Sequence, residues 1–281
     1  MEGNDCYKFS TIRNYIEATG APPVRVVVEA GVNVGDVTRL VKEYFPEATV
    51  YGLEAVRELA DQARASTRDL TGVRILTRAL TSEHLYEDDA GTRPREEPTA
   101  LRLLRATPNA GAGWIGGSTI VPGSHPLVED PSVRGMERST QRVRPITLEE
   151  LLAAVRRRTG TDEVDILKMD CEQCEHSSLG CASEETLRKI RFIAGEYHGI
   201  QRFWHVMRDR LFRTHKVSLI GDSYLGAFFA ERRDGENDGI LLHDNAGMLE
   251  LRPWLCDEPI EWHLFNEAYV LPHERAIHAL P

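Results

Sequence analysis

Short runs of β-branched and aliphatic residues punctuate this chain. They fall at about 24–29, 48–53, 73–78, 164–169, 190–197, 215–220 and 225–231, and each reads as a buried strand. Between them the apolar positions recur every three or four residues. That period predicts helices near 7–18, 36–45, 55–67, 147–159, 183–189 and 203–212. Pro46 stops the second of these helices. Thr147 caps the fourth, with Glu149 and Glu150 in its first turn. Strand–helix alternation of this kind makes a parallel sheet with helices on both faces. The link Gly221-Asp222-Ser223 is too short for a crossover helix, so the last two strands are antiparallel.

Two stretches break the rhythm. Residues 81–140 hold an acidic, arginine-rich segment at 87–98 and a glycine- and proline-rich one at 108–126. Only Leu101–Leu104 and Ser118–Val121 read as strands there. A connection this long is a lid or substrate wall, or else a surface insertion. The tail, 234–281, carries Trp254 and Trp262 and four histidines without helical i,i+4 pairing. It is too apolar to be plainly disordered. It packs on the domain or on a second copy of the chain, which leaves a homodimer open. The organisation expected is one domain over 1–233 with the 81–140 insertion, and an extension over 234–281.

The densest signal is Val26-Val27-Val28-Glu29-Ala30-Gly31-Val32-Asn33-Val34-Gly35-Asp36. It reads as a strand turning into a helix over a bound nucleoside. A dinucleotide site uses G-x-G-x-x-G so that pyrophosphate can lie on bare backbone at a helix N-terminus. Here the third glycine is missing and Asp36 occupies the phosphate position. With Glu29 nearby, the turn repels phosphate and suits a ligand bearing an ammonium and a sulfonium. S-adenosylmethionine answers that description. Glu54 ends the next strand nineteen residues after Gly35. An acid there accepts both ribose hydroxyls, or simply opens the following helix.

Asp170 ends the fourth strand, and Glu196 and His198 end the fifth. All three lie on the carboxyl rim, where open α/β sheets bind ligands. Strand alternation puts Glu196 and His198 on one face. They are candidate general bases, and His198 also suits a hydrogen-bonded structural role. Asp170 and Glu196 together would also suit a magnesium ion, a less favoured reading.

A net charge of −10 with no basic stripe argues against a nucleic-acid partner. There is no apolar run of membrane-spanning length and no signal sequence, so a cytoplasmic location and no membrane partner are expected. Five cysteines are too few for a disulfide framework. Cys171-x-x-Cys174 has no second pair to complete a zinc site, so these are read as structural or incidental thiols.

Five blocks carry a family resemblance: Val-Glu-Ala-Gly-Val-Asn-Val-Gly-Asp, Tyr-Gly-Leu-Glu-Ala, Ile-Thr-Leu-Glu-Glu-Leu-Leu, Val-Asp-Ile-Leu-Lys-Met-Asp-Cys-Glu-Gln-Cys-Glu and Gly-Glu-Tyr-His. In this order, across about 24–200, they resemble the FkbM family of S-adenosylmethionine-dependent methyltransferases. The family pattern has aspartate at Glu29, alanine at Val32 and glycine at Gln173, and Cys174 is a further departure. The resemblance implies a class I methyltransferase, Rossmann-like, three-layer α/β sandwich. Its sheet is mostly parallel and seven-stranded, with one antiparallel strand. The insertion precedes the fourth strand, and the tail is an extension. Carried over by residue, Glu29, Gly31, Asn33 and Gly35 would line methionine and adenosine, and Glu54 would hold the ribose. Arg78 and Ala79 would border adenine. Ser118 would touch the cofactor, and Asp170 would sit beside the reactive methyl. The acceptor implied is a hydroxyl or carboxylate on a natural product, sugar, lipid or peptide. Two other classes fit parts of the pattern: an NAD-dependent oxidoreductase and a non-catalytic nucleoside-binding module.

Overall fold

The computed structural model of the chain describes residues 2–82, 100–105, 119–121, 137–171, 174–221 and 225–233. The 234–281 extension, Ser118, Glu172 and Gln173 lie outside the described residues, and only strand segments of the insertion lie within them.

The strands are β1 (Val26–Ala30), β2 (Thr49–Glu54), β3 (Val73–Thr77), β4 (Ala79–Leu80), β5 (Ala100–Arg105), β6 (Thr119–Val121), β7 (Glu137–Arg142), β8 (Pro145–Ile146), β9 (Val164–Met169), β10 (Ile190–His198), β11 (His215–Gly221) and β12 (Leu225–Arg232). The helices are α1 (Glu2–Thr19), α2 (Asp36–Tyr44), α3 (Arg57–Ser66), α4 (Leu148–Thr159), α5 (Cys174–Cys181), α6 (Glu184–Arg188), α7 (Ile200–Val206) and α8 (Phe212–Thr214).

Seven strands form the main sheet in the order β3-β2-β1-β9-β10-β12-β11. All run parallel except β12, which is antiparallel to both β10 and β11. This is the mostly parallel seven-stranded sheet with one antiparallel strand that the sequence predicts. The order of winding reverses between β1 and β9, so the crevice at their carboxyl ends is the natural ligand position. The insertion adds a three-stranded antiparallel sheet, β6-β5-β7, in which β7 has no counterpart in the sequence reading. A short parallel pair, β4 with β8, brackets it.

Alternation divides the core between two faces. Val27 packs with Phe9, Ile12, Val41, Val50 and Ile166 beneath α1 and α2. Val26, Val28 and Ala30 pack with Leu148, Leu151, Leu167 and Leu179 against α4 and α5. Burial on both faces explains why β1 shows no polar alternation. Thr147 and Glu150 form a reciprocal capping box, and Gly160 closes α4 in a left-handed conformation.

The helix predicted over 203–212 begins earlier, at Ile200, and is interrupted by a π-turn at Met207–Leu211. Met207 and Leu211, at the two ends of this turn, are both fully buried. His215, also fully buried, lies between the Ile190 carbonyl (3.0 Å) and the Thr214 hydroxyl (2.7 Å). Burial pushes its ring down to about 4, so it is neutral at physiological pH.

Candidate active site

The turn after β1 is set by three left-handed residues, Gly31 (φ 85°), Asn33 (φ 54°) and Gly35 (φ 97°). Only Gly31 fits its place. A Cβ there would lie 1.7 Å from the Asp170 carbonyl oxygen, so β1 and β9 could not end side by side. Asp170 N–H in turn donates to the Ala30 carbonyl at 2.9 Å. Glycine is also needed at Gly52, where a Cβ would strike Val32 Cγ2 at 2.5 Å. The larger valine at position 32 is therefore accommodated by a bare strand position opposite it.

Glu54 folds back over this turn. One of its oxygens accepts from Asn33 N–H at 2.9 Å and the other from Val56 N–H at 2.8 Å. The carboxyl is 7% exposed. Burial raises its pKa, against the opposing pull of the backbone donors at Val56, Asn33 and Ala55 and of Lys168. A carboxylate has about four lone-pair sites, so acceptor capacity remains after two backbone bonds. Arg78 N–H donates to the Glu54 carbonyl at 3.1 Å, and Ala79 packs with Ala55 and Val143. The structure thus brings Arg78 beside Glu54 and Ala79 beside Ala55. Asn33 Oδ1 is buried with no hydrogen-bond partner among the described residues.

Glu29 is fully buried, and the Thr38 hydroxyl donates to it at 2.5 Å. Its register partner on β9 is Lys168, a buried lysine whose ammonium lies 3.2 Å from Asp170 Oδ2. Burial works to raise the Asp170 pKa, but Lys168, Lys8 of α1 and His198 together outweigh it and hold the carboxyl below its ordinary value. The rim is therefore not the unbroken acidic arc that the sequence suggests. Three acids, Glu29, Glu54 and Asp170, share it with two buried cations. A lysine within a strand gives no warning of this, because lysine is rarely buried without a partner.

On the far side of Asp170, His198 meets Glu175, the second residue of α5. Glu175 is 1% exposed at its side chain. Its Oε1 accepts from the His198 backbone N–H at 3.0 Å and from His198 Nδ1 at 2.9 Å. A carboxylate only accepts, so the proton of the neutral ring belongs on Nδ1 and the lone pair on Nε2. His176 supports the same corner, its Nε2–H donating to the His198 carbonyl at 2.7 Å. Burial lowers the His176 pKa, with Glu175 opposing. Glu196 lies two residues before His198 on β10, in register with Ala227. Glu175 is a carboxylate that orients His198. Sequence reasoning left Glu175 without this role, although the Asp-x-Glu-x-x-Glu spacing contains it. Among the described residues no group of three or more His, Cys, Asp or Glu is arranged to hold a metal ion.

The cysteine reading needs correction. Cys171 and Cys174 are joined as a disulfide, with Cα atoms 5.4 Å apart, whereas they were expected as thiols.

Residues 29–219 match the model of the Methyltransferase FkbM domain. The chain belongs to this family. The FkbM match takes in the glycine turn, Glu54, Asp170, Glu175 and His198. No curated protein matches the chain significantly in sequence. Among solved structures, the O-methyltransferase from Bacillus cereus in complex with SAH aligns at 12% identity and a TM-score of 0.42, over 80% of each chain. WbdD aligns at 12% identity and 0.39, over 79% of this chain. This chain spans only 38% of WbdD's length. The 23S rRNA methyltransferase ErmE aligns at 11% identity and 0.36, over 80% of this chain and 68% of its own. Membership rests on the FkbM match, and the fold on the strand order. No described helix of this FkbM-family chain is long and apolar enough to cross a membrane.

Proposed function

We propose that this methyltransferase uses S-adenosylmethionine to methylate an oxygen, a hydroxyl or carboxylate, on a small natural product, sugar or peptide in the cytoplasm. The observation that carries the reading is the juxtaposition at the carboxyl rim of the sheet of the glycine turn with Glu54, and of Asp170 with the His198–Glu175 pair.

The residues suit the cofactor. Glu54 has lone pairs left for ribose hydroxyls, and the buried Asn33 amide oxygen awaits a donor. Glu29, Glu54 and Asp170 against Lys8 and Lys168 give the pocket a formal charge of −1. That balances a donor carrying a sulfonium, an ammonium and one carboxylate. Asp36, exposed in the first turn of α2, disfavours a pyrophosphate there.

When bound, the donor supplies an electrophilic methyl and a neutral thioether leaving group. The protein supplies alignment and a base. Alignment is worth about 7–11 kcal/mol in favourable cases. His198 Nε2 receives the acceptor's proton, and Glu175 stabilises the imidazolium through Nδ1–H. Asp170 stays ionised beside the reaction and favours positive charge near it.

A panel of phenols, sugars and carboxylated peptides, incubated with methyl-labelled donor, tests the proposal. Label should appear on oxygen, and His198→Ala should slow transfer to a hydroxyl by about 10²–10⁴-fold. Transfer to amines alone, or full activity in His198→Ala with a hydroxyl acceptor, would overturn it. Donor binding with no transfer to any acceptor would favour the binding-module reading.

A further inference from the structure

The disulfide occupies a position that the proposed chemistry does not use. Cys171 follows Asp170, and its backbone nitrogen lies 3.2 Å from where a Gly31 Cβ would be. Cys174 precedes Glu175, the residue that grips His198. The cross-link therefore closes a four-residue ring between the cofactor turn and the base. Its Cα separation of 5.4 Å falls in the range that a disulfide bridges without moving the backbone. Cys171 is partly exposed, so a solution oxidant can reach the pair; Cys174 is 8% exposed and opens α5. In the cytoplasm, where we place the protein, disulfides are characteristically transient, catalytic or redox-sensing.

We propose that Cys171 and Cys174 form a reversible redox pair that assembles the methyl-transfer site when oxidised and loosens it when reduced. The co-reactant is a small-molecule or protein disulfide. The Cys171 thiolate attacks it, releasing one thiol and leaving a mixed disulfide. The Cys174 thiolate, at the positive end of the α5 dipole, then displaces the second thiol and forms the ring. Two protein thiols lose two electrons and two protons, and the external disulfide becomes two thiols. Excess external thiol reverses both steps. Oxidised, the turn holds Asp170 against Gly31 and Glu175 against His198. Reduced, it gains conformations in which neither contact is kept, and ligand must select the competent one.

The effect on cofactor rests on the function proposed above, so the test reads two signals. The full chain is equilibrated with graded mixtures of glutathione and its disulfide. The Cys171–Cys174 link is counted by alkylation and mass spectrometry. Binding of S-adenosylhomocysteine is measured by calorimetry, and the His198 ring signals by NMR. The link should form and break reversibly. The oxidised form should bind at least about threefold more tightly, and the His198 signals should move with it. Cys171→Ser and Cys174→Ser should stay at the reduced values in every mixture, whereas Cys181→Ser should respond like the parent. A link that never forms, or one that forms while neither affinity nor the His198 signals change, overturns the proposal. Loss of the response in Cys181→Ser does so too. If neither form binds S-adenosylhomocysteine, the cofactor reading fails, and the His198 signals alone decide the switch.

Discussion

The two halves of the crevice are built differently. On the β1–β2–β3 side, function is written into the backbone: left-handed residues shape the turn, and Glu54 is held by main-chain donors at Asn33 and Val56. On the β9–β10 side, it is written into side chains from separate elements, with Glu175 of α5 gripping His198 of β10 and Lys168 reaching Asp170. The first half is fixed by backbone conformation and by main-chain donors, one of them 21 positions from Glu54 in the chain. The second depends on long-range packing and is the half that a redox bond can tune. Nucleoside binding and base positioning should therefore respond to different changes.

The largest effect should come at the joint between the halves. Gly31→Ala sets a methyl against the Asp170 carbonyl in a left-handed backbone. Denaturant unfolding should show a loss of about 4 kcal/mol or more, with S-adenosylhomocysteine binding gone. A parental midpoint would mean that the two halves do not touch there.

Next in size is a pH effect at the amino ends of β10 and β11, the end of the sheet opposite the crevice. The His215 pKa is depressed by burial to about 4, against an ordinary 6.5. The unfolded chain therefore binds the proton more readily between those values. Stability should be constant above the upper value and fall by up to about 3 kcal/mol as pH drops from 6.5 towards 4. In His215→Phe the slope in that window should shrink, and an unchanged slope would assign it to other groups.

Two substitutions sharpen the contrast directly. Glu54→Gln should weaken S-adenosylhomocysteine and adenosine alike by about 10–100-fold, the worth of a hydrogen bond to a charged group. Glu175→Ala should leave S-adenosylhomocysteine affinity within about twofold and slow transfer to a hydroxyl by about tenfold, with faster exchange of the His198 Nδ1 proton. If the two variants behave alike in both assays, the halves are not separable. The smallest effect is Thr147→Ala, far from either half. It removes the α4 capping box and should cost about 1 kcal/mol in thermal unfolding, with no change in binding.

This division also sets what the sequence makes readable. β1, the glycine turn and Glu54 follow from local pattern, because strand burial and left-handed turns constrain residue type where they occur, whereas Arg78 and Ala79 follow only from the family resemblance. The closing antiparallel strand follows from one short link. His198 and Asp170 are legible as residues on the right rim. Their partners are not. Glu175 and His198 come from different elements, and only the packing of α5 against the carboxyl end of β10 brings them together. Lys168 looks like a solvated strand residue until the Glu29 register is known. The disulfide is hidden for the same reason, since Cys-x-x-Cys spacing does not say whether the turn closes. The π-turn escapes because buried residues four apart, such as Met207 and Leu211, fit an ordinary helical period equally well.

Calorimetric titration of the full chain with S-adenosylhomocysteine and, separately, with NAD tests the central claim most directly. We predict saturable heat at one site for the first and none for the second. Heat from NAD with none from S-adenosylhomocysteine would contradict the account.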